Sequence, residues 1–238
     1  MKRAPFPLTF LKFLTLGGPA LLCAAAASAS PTNLIDATYG LGAGSFELGS
    51  FVNGGGIVNG GGGGYMGVAP GDSTTITGWT VGGPGDGVDW LTPPIYGADT
   101  GNHTLDLQHL TSSSISTTIA TTVGAKYTVS FVASASTVVG TSAEGLLSAG
   151  SLTNQAFSIA RSASTGAPTW TPLSYQFTAT GSSTTVKFTG TGDQIWHYGP
   201  VLDSVSVTAV PEPATDALMG AGLGIVVVSS RIARRRQA

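Results

Sequence analysis

The amino-acid sequence predicts an all-β fold, an antiparallel β-sandwich of the jelly-roll kind. Between residues 74 and 207, short stretches rich in Thr, Val, Ile and aromatic residues are separated by Gly, Pro and Ser. Apolar and polar residues alternate clearly at 127–131 and 175–178, and a period of two is typical of half-buried antiparallel strands. Residues 30–210 carry no convincing helical stripe, and 143–152 is the only helix candidate. Many short strands without a repeat of fixed period favour a sandwich over a propeller or solenoid.

The predicted strands follow one another from the beginning of this region. Two short pieces at 33–35 and 45–47 are expected to form a first strand region. Residues 53–64 are mostly glycine and predict a flexible surface loop, because glycine has no side chain to pack. The further predicted strands are 75–81, 88–91, 103–109, 113–121, 126–135, 155–160, 173–180, 184–189 and 201–207.

The N-terminal segment, residues 1–29, reads as a secretory signal peptide with a signal helix. Basic residues accompany an apolar stretch, and residues 27–29 form a small-x-small cleavage site. We expect signal peptidase to cut before Ser30. The only cysteine, Cys23, lies in this segment, so residues 30–210 have to fold without disulfides or a cysteine-based metal site.

The C-terminal segment, residues 211–238, begins with Pro211, Glu212 and Pro213. The apolar residues 214–230 predict a short transmembrane helix, at the lower limit of the roughly 17 to 25 residues that span a bilayer. By the positive-inside rule, the arginines that follow would hold the chain end in the cytoplasm. This basic tail, 231–238, contains Arg231, Arg234, Arg235 and Arg236.

This order of parts, Pro-Glu-Pro, apolar segment, arginine cluster and chain end, resembles the PEP-CTERM sorting signal of Gram-negative bacteria. The resemblance implies that an exosortase-type enzyme cuts at or near residues 211–213 and releases or transfers the upstream part. It also implies an inner-membrane intermediate, followed by a location at the cell surface or outside the cell. An ordinary C-terminal anchor that is never processed is the alternative.

Residues 30–210 are acidic once the two targeting ends are set aside. They contain ten acidic residues and three basic ones, a net charge of −7. Such a domain is not expected to bind nucleic acid, which requires basic groups to neutralise phosphates. The acids favour hard cations such as Ca²⁺, or serve solubility alone.

A second resemblance covers most of residues 33–208. The chain looks like the choice-of-anchor C group of bacterial surface proteins, which are similar to galactose-binding-like jelly rolls and to several carbohydrate-binding modules. The glycine-rich insert at 53–64 departs from that pattern. The blocks that carry the resemblance are 44–47, 76–81, 88–90, 101–107, 127–131 and 198–207.

The second resemblance also implies a structural calcium ion where the first and last strands meet. Glu47 and Asp203 occupy the matching positions in their motifs, and carboxylate oxygens suit Ca²⁺. The alternative is that Glu47 is a solvated turn residue and that Asp203 only accepts backbone hydrogen bonds at the edge of the sandwich.

Aromatic residues next to predicted loops suggest a saccharide site, because sugar faces stack on exposed rings. Trp90 and Tyr96 bracket a Thr-Pro-Pro loop, and Trp196 and Tyr198 precede Gly-Pro. Trp79 lies within an alternating strand and is expected to be buried.

The sequence gives little support for an enzyme. His103 and His109 are expected on the same face of one strand, but no third ligand completes a zinc site. Asp86 and Asp89 are two nearby carboxylates that could resemble a glycosidase pair, although they are better interpreted as solvated acids in a loop. The sequence thus predicts a non-catalytic surface or matrix protein with a structural or adhesive role. A carbohydrate-binding module is the alternative, and a glycoside hydrolase ranks third.

Overall fold

Two antiparallel sheets make up the fold. The computed structural model describes residues 31–52, 64–93, 95–135, 142–161, 168–191 and 198–211. The elements in this part of the chain are α1 (Leu34–Tyr39), β1 (Tyr65–Val68), β2 (Thr80–Gly82), β3 (Val88–Leu91), β4 (Thr104–Asp106), β5 (Ser114–Ala120), β6 (Lys126–Ala135), β7 (Ser142–Ala149), β8 (Leu152–Ala160), β9 (Thr171–Thr178), β10 (Ser183–Gly190) and β11 (Pro200–Ala209). One sheet has the order β1-β3-β4-β11-β6-β9 and the other β2-β5-β10-β7-β8.

The core lies between the two sheets. Phe131 of β6 meets Phe188 of β10 edge to face, with ring centroids 4.9 Å apart. Phe157 of β8 packs on Phe131 at 5.4 Å. Apolar area removed from water contributes about 25 cal/mol per Å² to stability, so these rings hold the layers together. The predicted antiparallel β-sandwich is confirmed.

Local structure departs from the prediction at several places. Residues 45–47 do not form the predicted piece of strand, because 45 and 46 lie in a turn in which Phe46 has a φ of 60°. Residues 33–35 begin the helix α1, because the Asn33 side chain accepts a hydrogen bond from Ile35 N at 3.1 Å and caps the first turn. The helix candidate 143–152 is instead the strand β7 and the start of β8. The strand predicted at 75–81 is reduced to β2, and β1 was not predicted.

Gly145 in β7 leaves room for the ring of Phe157, its partner on the neighbouring strand β8. A Cβ at this position would lie 2.4 Å from Cζ of Phe157, so only glycine lets the β8 ring pack across β7. The composition of β7 hides this role, because the strand lacks the β-branched residues that are typical of strands.

Residues near the start of the described chain pack against an irregular point in β11. The β11–β6 register shifts between Asp203 and Ser206. There Asn33 Nδ2 donates to Val205 O at 3.2 Å, and Val207 N donates to Asn33 Oδ1 at 3.0 Å. The side chain of Asn33 therefore stands in for missing ladder partners of β11.

Several predictions lie outside the described residues: the signal peptide, residues 53–63 of the glycine-rich loop, and everything beyond Pro211. These include the transmembrane segment. None of the helices in the described part of the chain has the length and apolar character needed to cross a membrane. The individual residues concerned are Trp196, Glu212, Pro213, Arg231, Arg234, Arg235 and Arg236.

Candidate functional site

A row of cross-strand partners on the six-stranded sheet places two carboxylates side by side. Asp89 of β3 pairs with Asp106 of β4, and Asp106 pairs with Val201 of β11. Direct partners share a face of a sheet, and successive residues point to opposite faces. The adjacent row lies in the core and consists of Trp90, Leu105 and Leu202. The two aspartates, which we call the floor pair, therefore lie on the outer face.

A cavity of about 250 Å³ opens above the floor pair. Tyr65 of β1 contributes one wall, and Tyr198, which precedes β11, contributes another. Leu91, Ile95 and Tyr96 complete the lining at and after the end of β3. We call this space the tyrosine cavity. Its rings and carboxylates combine flat apolar surface with hydrogen-bond acceptors.

Asp89 is paired with a buried histidine. His109 Nδ1 lies 2.6 Å from Asp89 Oδ1, and only 2% of His109 is exposed. The hydrogen bond to Asp89 raises the pKa of His109, although burial opposes this. Gly67 of β1 makes room for the imidazole, since a Cβ there would lie 3.1 Å from its Cε1. His109 and Asp89 therefore form a buried hydrogen-bonded pair.

Asp106 is the less compensated member of the floor pair. Burial, and then repulsion from Asp89, raise the pKa of Asp106 well above its ordinary value. The Gln108 N–H donates to Asp106 Oδ1 at 2.9 Å, and the Gly199 N–H also donates to this carboxyl group. Both hydrogen bonds lower the pKa of Asp106, as does the charge of Arg161. Arg161 is itself bound by backbone, because its Nη2 donates to Tyr198 O at 2.9 Å.

Tyr96 is fixed in position by its hydroxyl group. Its Oη donates to Ser134 Oγ at 2.9 Å, and its ring meets Trp170 edge to face at 6.1 Å. Burial raises the pKa of Tyr96 to about 12, so the phenol stays protonated at neutral pH.

Two further carboxylates hold residues 99–103, the continuation of the Tyr96 segment. Asp203 Oδ2 accepts hydrogen bonds from Asp99 N at 2.7 Å and Thr100 N at 3.0 Å. Glu47 Oε1 accepts from Asn102 N at 2.9 Å, and also from the backbone N–H of the next residue at 2.7 Å. We call Glu47 and Asp203 the anchor pair, because both fasten one segment to the sandwich.

Asp203 accepts backbone hydrogen bonds, as in the alternative to a calcium site. Glu47 does the same and is not merely a solvated turn residue. The remaining oxygens are also engaged, Glu47 Oε2 with His103 Nδ1 at 3.1 Å and Asp203 Oδ1 with the Ser204 N–H. No group of three or more His, Cys, Asp or Glu residues suited to a metal occurs in the described residues. Donors directed at every carboxylate oxygen do not fit a bound cation. Calcium binding at Glu47 and Asp203 stays a prediction.

The residues that were predicted to bind a saccharide lie in different environments. Tyr96 and Tyr198 both line the cavity. The expectation that a loop presents Trp90 is wrong: the residue lies in β3, is 1% exposed, and donates from Nε1 to Phe46 O at 3.0 Å. A ring buried in this way is not available to stack on a sugar. Trp79 is buried as expected, at 1% exposure.

The two histidines do not share a strand as predicted. β4 ends at Asp106, so His103 faces Glu47 while His109 faces Asp89. Asp86 was the possible partner of Asp89 in a glycosidase pair. It instead accepts hydrogen bonds from the N–H groups of Leu110 and Thr111 in a turn.

Sequence reasoning missed Tyr65 and Asp106 as site residues. The signal for Asp106 was present, since a single carboxylate stands between Leu105 and Leu107 in an apolar strand. An acid that a strand buries is rare unless it has a partner or a function.

Carbohydrate-binding modules are among the solved structures that have some likeness to the chain. The CBM22-1 xylan-binding domain from Paenibacillus barcinonensis is 15% identical with a TM-score of 0.42, covering 61% of this chain and 99% of that one. A family 35 carbohydrate binding module from Clostridium thermocellum is 11% identical with a TM-score of 0.41, covering 56% and 92%. TmCBM61, in complex with β-1,4-galactotriose, is 14% identical with a TM-score of 0.40, covering 56% and 88%. No curated protein matches the chain.

Two family models match the sequence itself. The PEP-CTERM protein-sorting motif matches residues 209–236 and confirms the interpretation of the C-terminal segment. This motif marks the chain for export to the cell surface or extracellular space and implies processing by exosortase-type machinery. The resemblance to the choice-of-anchor C group stays a prediction. The second model matches residues 63–208, more than half of the sequence, and the chain therefore belongs to the family described as "Protein of unknown function (DUF642)".

Proposed function

We propose that this exported chain is a non-catalytic surface protein that binds a saccharide of the envelope or extracellular matrix, and so has a structural or adhesive role. The observation that carries the proposal is the tyrosine cavity, with Tyr65, Tyr96 and Tyr198 beside the floor pair. Apolar sugar faces pack on aromatic rings, and sugar hydroxyls donate to carboxylates.

The chemistry of the floor pair supports binding rather than hydrolysis. A glycosidase needs one carboxylic acid and one carboxylate that both reach the scissile bond. Asp89 is instead engaged by His109 at 2.6 Å, and Asp106 Oδ1 accepts the Gln108 N–H. Only 1% of Asp89 and 3% of Asp106 is exposed. Both carboxylates are held from behind, which suits recognition of a ligand that stays intact.

Affinity electrophoresis of the full chain in a mild detergent tests saccharide binding. Polysaccharides extracted from the envelope and matrix of the source cells are cast into the gel, and we expect at least one to retard the protein. Tyr96→Ala is expected to abolish the retardation. Tyr39→Ala is the matched control, because Tyr39 is also half-buried and its hydroxyl donates to Thr118 O at 2.6 Å, but it does not line the cavity.

Two results would contradict the proposal. One is unchanged mobility with every polysaccharide. The other is release of reducing sugar by the wild-type protein, lost in Asp89→Asn and Asp106→Asn, which would make the chain a hydrolase.

We also propose the route of export. Signal peptidase cuts before Ser30, an inner-membrane intermediate is held by residues 214–230, and an exosortase-type enzyme cuts at or near residues 211–213. Mass spectrometry of the mature protein from surface and medium fractions should find both ends trimmed. An intact 231–238 tail on all molecules would show that the segment is a permanent anchor.

A further inference from the structure

We infer that the tyrosine cavity prefers a sugar with a free amino group, whose ammonium lies between the floor pair and the tyrosine rings. The inference rests on the proposed saccharide binding and narrows it to a class of ligand. A polymer of partly or fully deacetylated amino sugars has this chemistry.

The lining of the cavity has the charge and the surface that an ammonium group requires. Asp89 and Asp106 are its carboxyl groups, and no Lys, Arg or His is among the described lining residues. Three tyrosine rings also line the cavity. An ammonium group that lies over a ring face gains about 0.5 to 2 kcal/mol. A hydroxyl group gains from the carboxylates but not from the ring quadrupoles.

The charged groups behind the lining leave one carboxylate to be balanced. His109 pairs with Asp89 at 2.6 Å. The guanidinium of Arg161 donates to Tyr198 O at 2.9 Å and Ser142 O at 3.2 Å, and its charge is the weakest of the influences on Asp106. Asp86, the other acid near His109, is occupied by a turn at Thr111. Within the described part of the chain, Asp106 therefore has no cation dedicated to it.

A proton and a ligand cation therefore compete for the carboxyl group of Asp106. Burial and the neighbouring Asp89 raise the pKa of Asp106, which means that the empty cavity favours a proton there. An ammonium group satisfies the same carboxylate and displaces that proton. Binding should therefore release protons, whereas a neutral sugar would leave the protonation of Asp106 unchanged.

The size of the cavity limits the ligand to a short length. A volume of about 250 Å³ lies just below the roughly 300 to 1,000 Å³ of most ligand pockets and suits a single sugar residue. An acetyl group on the sugar nitrogen would both remove the charge and add volume. The acetylated sugar is therefore disfavoured both by its lost charge and by its larger volume.

Isothermal titration calorimetry on the full chain in detergent provides the test. Glucosamine oligosaccharides are compared with N-acetylglucosamine oligosaccharides of equal length, at a pH low enough that the free amine is fully protonated. We expect the free-amine form to bind at least about tenfold more tightly. The measured heat should change between buffers of different ionisation enthalpy in the sense of proton release.

Variants assign the effect to particular side chains. Asp106→Asn should abolish both the preference for the free amine and the proton release. Glu144→Gln removes one negative charge from an exposed position on β7 and should change neither. Tyr65→Leu, on the edge strand β1, keeps both carboxylates and should weaken the free-amine ligand by several-fold, which tests the ring contribution in a protein whose floor pair is intact.

The outcomes separate this inference from the proposed function. Equal affinity for both oligosaccharide series, or an unchanged preference in Asp106→Asn, would overturn the amine preference. If Tyr96-dependent retardation by any polysaccharide is still seen in that case, saccharide binding stands. If no saccharide binds in either experiment, both proposals fail.

Discussion

The anchor pair and the floor pair are both pairs of carboxylates on this sandwich, and they differ in what their oxygens contact. Glu47 and Asp203 direct their oxygens at backbone N–H groups of residues 99–103 and at two neighbours. Asp89 and Asp106 line a cavity. An acid whose acceptors are all taken by the chain serves the fold. An acid at the floor of a cavity is placed where a ligand could reach it.

The two pairs are also connected. Residues 99–103 continue from Ile95 and Tyr96, which form part of the cavity wall. Loss of an anchor is therefore expected to disturb the cavity, whereas loss of a floor residue should leave the anchors intact. The following four predictions test this asymmetry.

The largest effect is expected from Asp203→Ala. Asp203 is fully buried and accepts the N–H groups of Asp99, Thr100 and Ser204. Leaving such donors without an acceptor costs about 1 to 3 kcal/mol each, so the free energy of unfolding should fall by at least about 3 kcal/mol. Urea denaturation measures this. A loss below about 1 kcal/mol, no more than a minor surface change, would show that Asp203 is not an anchor.

The pH dependence of stability should show the burial of Asp203. Burial raises the pKa of Asp203 from 3.8 to about 6. A carboxyl group with a raised folded-state pKa contributes stability that is complete below pH 3.8 and is lost as the pH rises through about 6. The expected loss from this group is on the order of 1 to 2 kcal/mol.

Urea denaturation at steps between about pH 4 and pH 7 checks this dependence, and Asp203→Asn is the comparison, because an amide does not titrate. The floor pair contributes in both proteins and cancels in the difference. Parallel pH profiles for the two proteins would contradict the assignment.

A smaller effect is expected from Asp106→Asn. The amide oxygen still accepts the Gln108 N–H, and the neutral side chain resembles the protonated acid that burial favours. The free energy of unfolding should change by less than about 1 kcal/mol, since the buried acceptor stays satisfied. A loss as large as that in Asp203→Ala would place Asp106 among the structural acids and remove the contrast between the pairs.

No effect is expected from a chelator. Because hydrogen-bond donors reach all four oxygens of the anchor pair, EDTA should leave the melting temperature unchanged. A fall in melting temperature that Ca²⁺ reverses in the wild type, and that is absent in Glu47→Ala, would instead support the calcium site that the sequence suggested.

Sequence patterns predicted the sandwich because its strands are locally marked. β3 and β6 have the predicted bounds, and both are rich in β-branched or aromatic residues. The helix α1 was missed because six residues are too few to show a helical period, and its start depends on the cap at Asn33. β7 was missed because its composition is not typical of a strand. The role of Gly145 becomes visible only through its contact with Phe157 of the next strand.

The sequence could identify only those site residues that are marked by their immediate neighbours in the chain. Tyr96 and Tyr198 follow from aromatic residues next to Pro and Gly. The pairing of Asp89 with Asp106 depends on the register of β3 with β4, and that of Asp106 with Val201 on β11, almost a hundred residues further along the chain. Local sequence contains no information on such partners, nor on the burial that placed Trp90 inside.

The position of β11 has a mechanical consequence. This strand lies between β4 and β6, ends at Ala209, and is followed directly by the sorting motif that begins at residue 209. Ladder hydrogen bonds run perpendicular to the strands, so a pull on the C-terminal side loads the β11–β6 bonds in shear, all at once. A protein held by this end would therefore oppose a pull along β11 with several hydrogen bonds together.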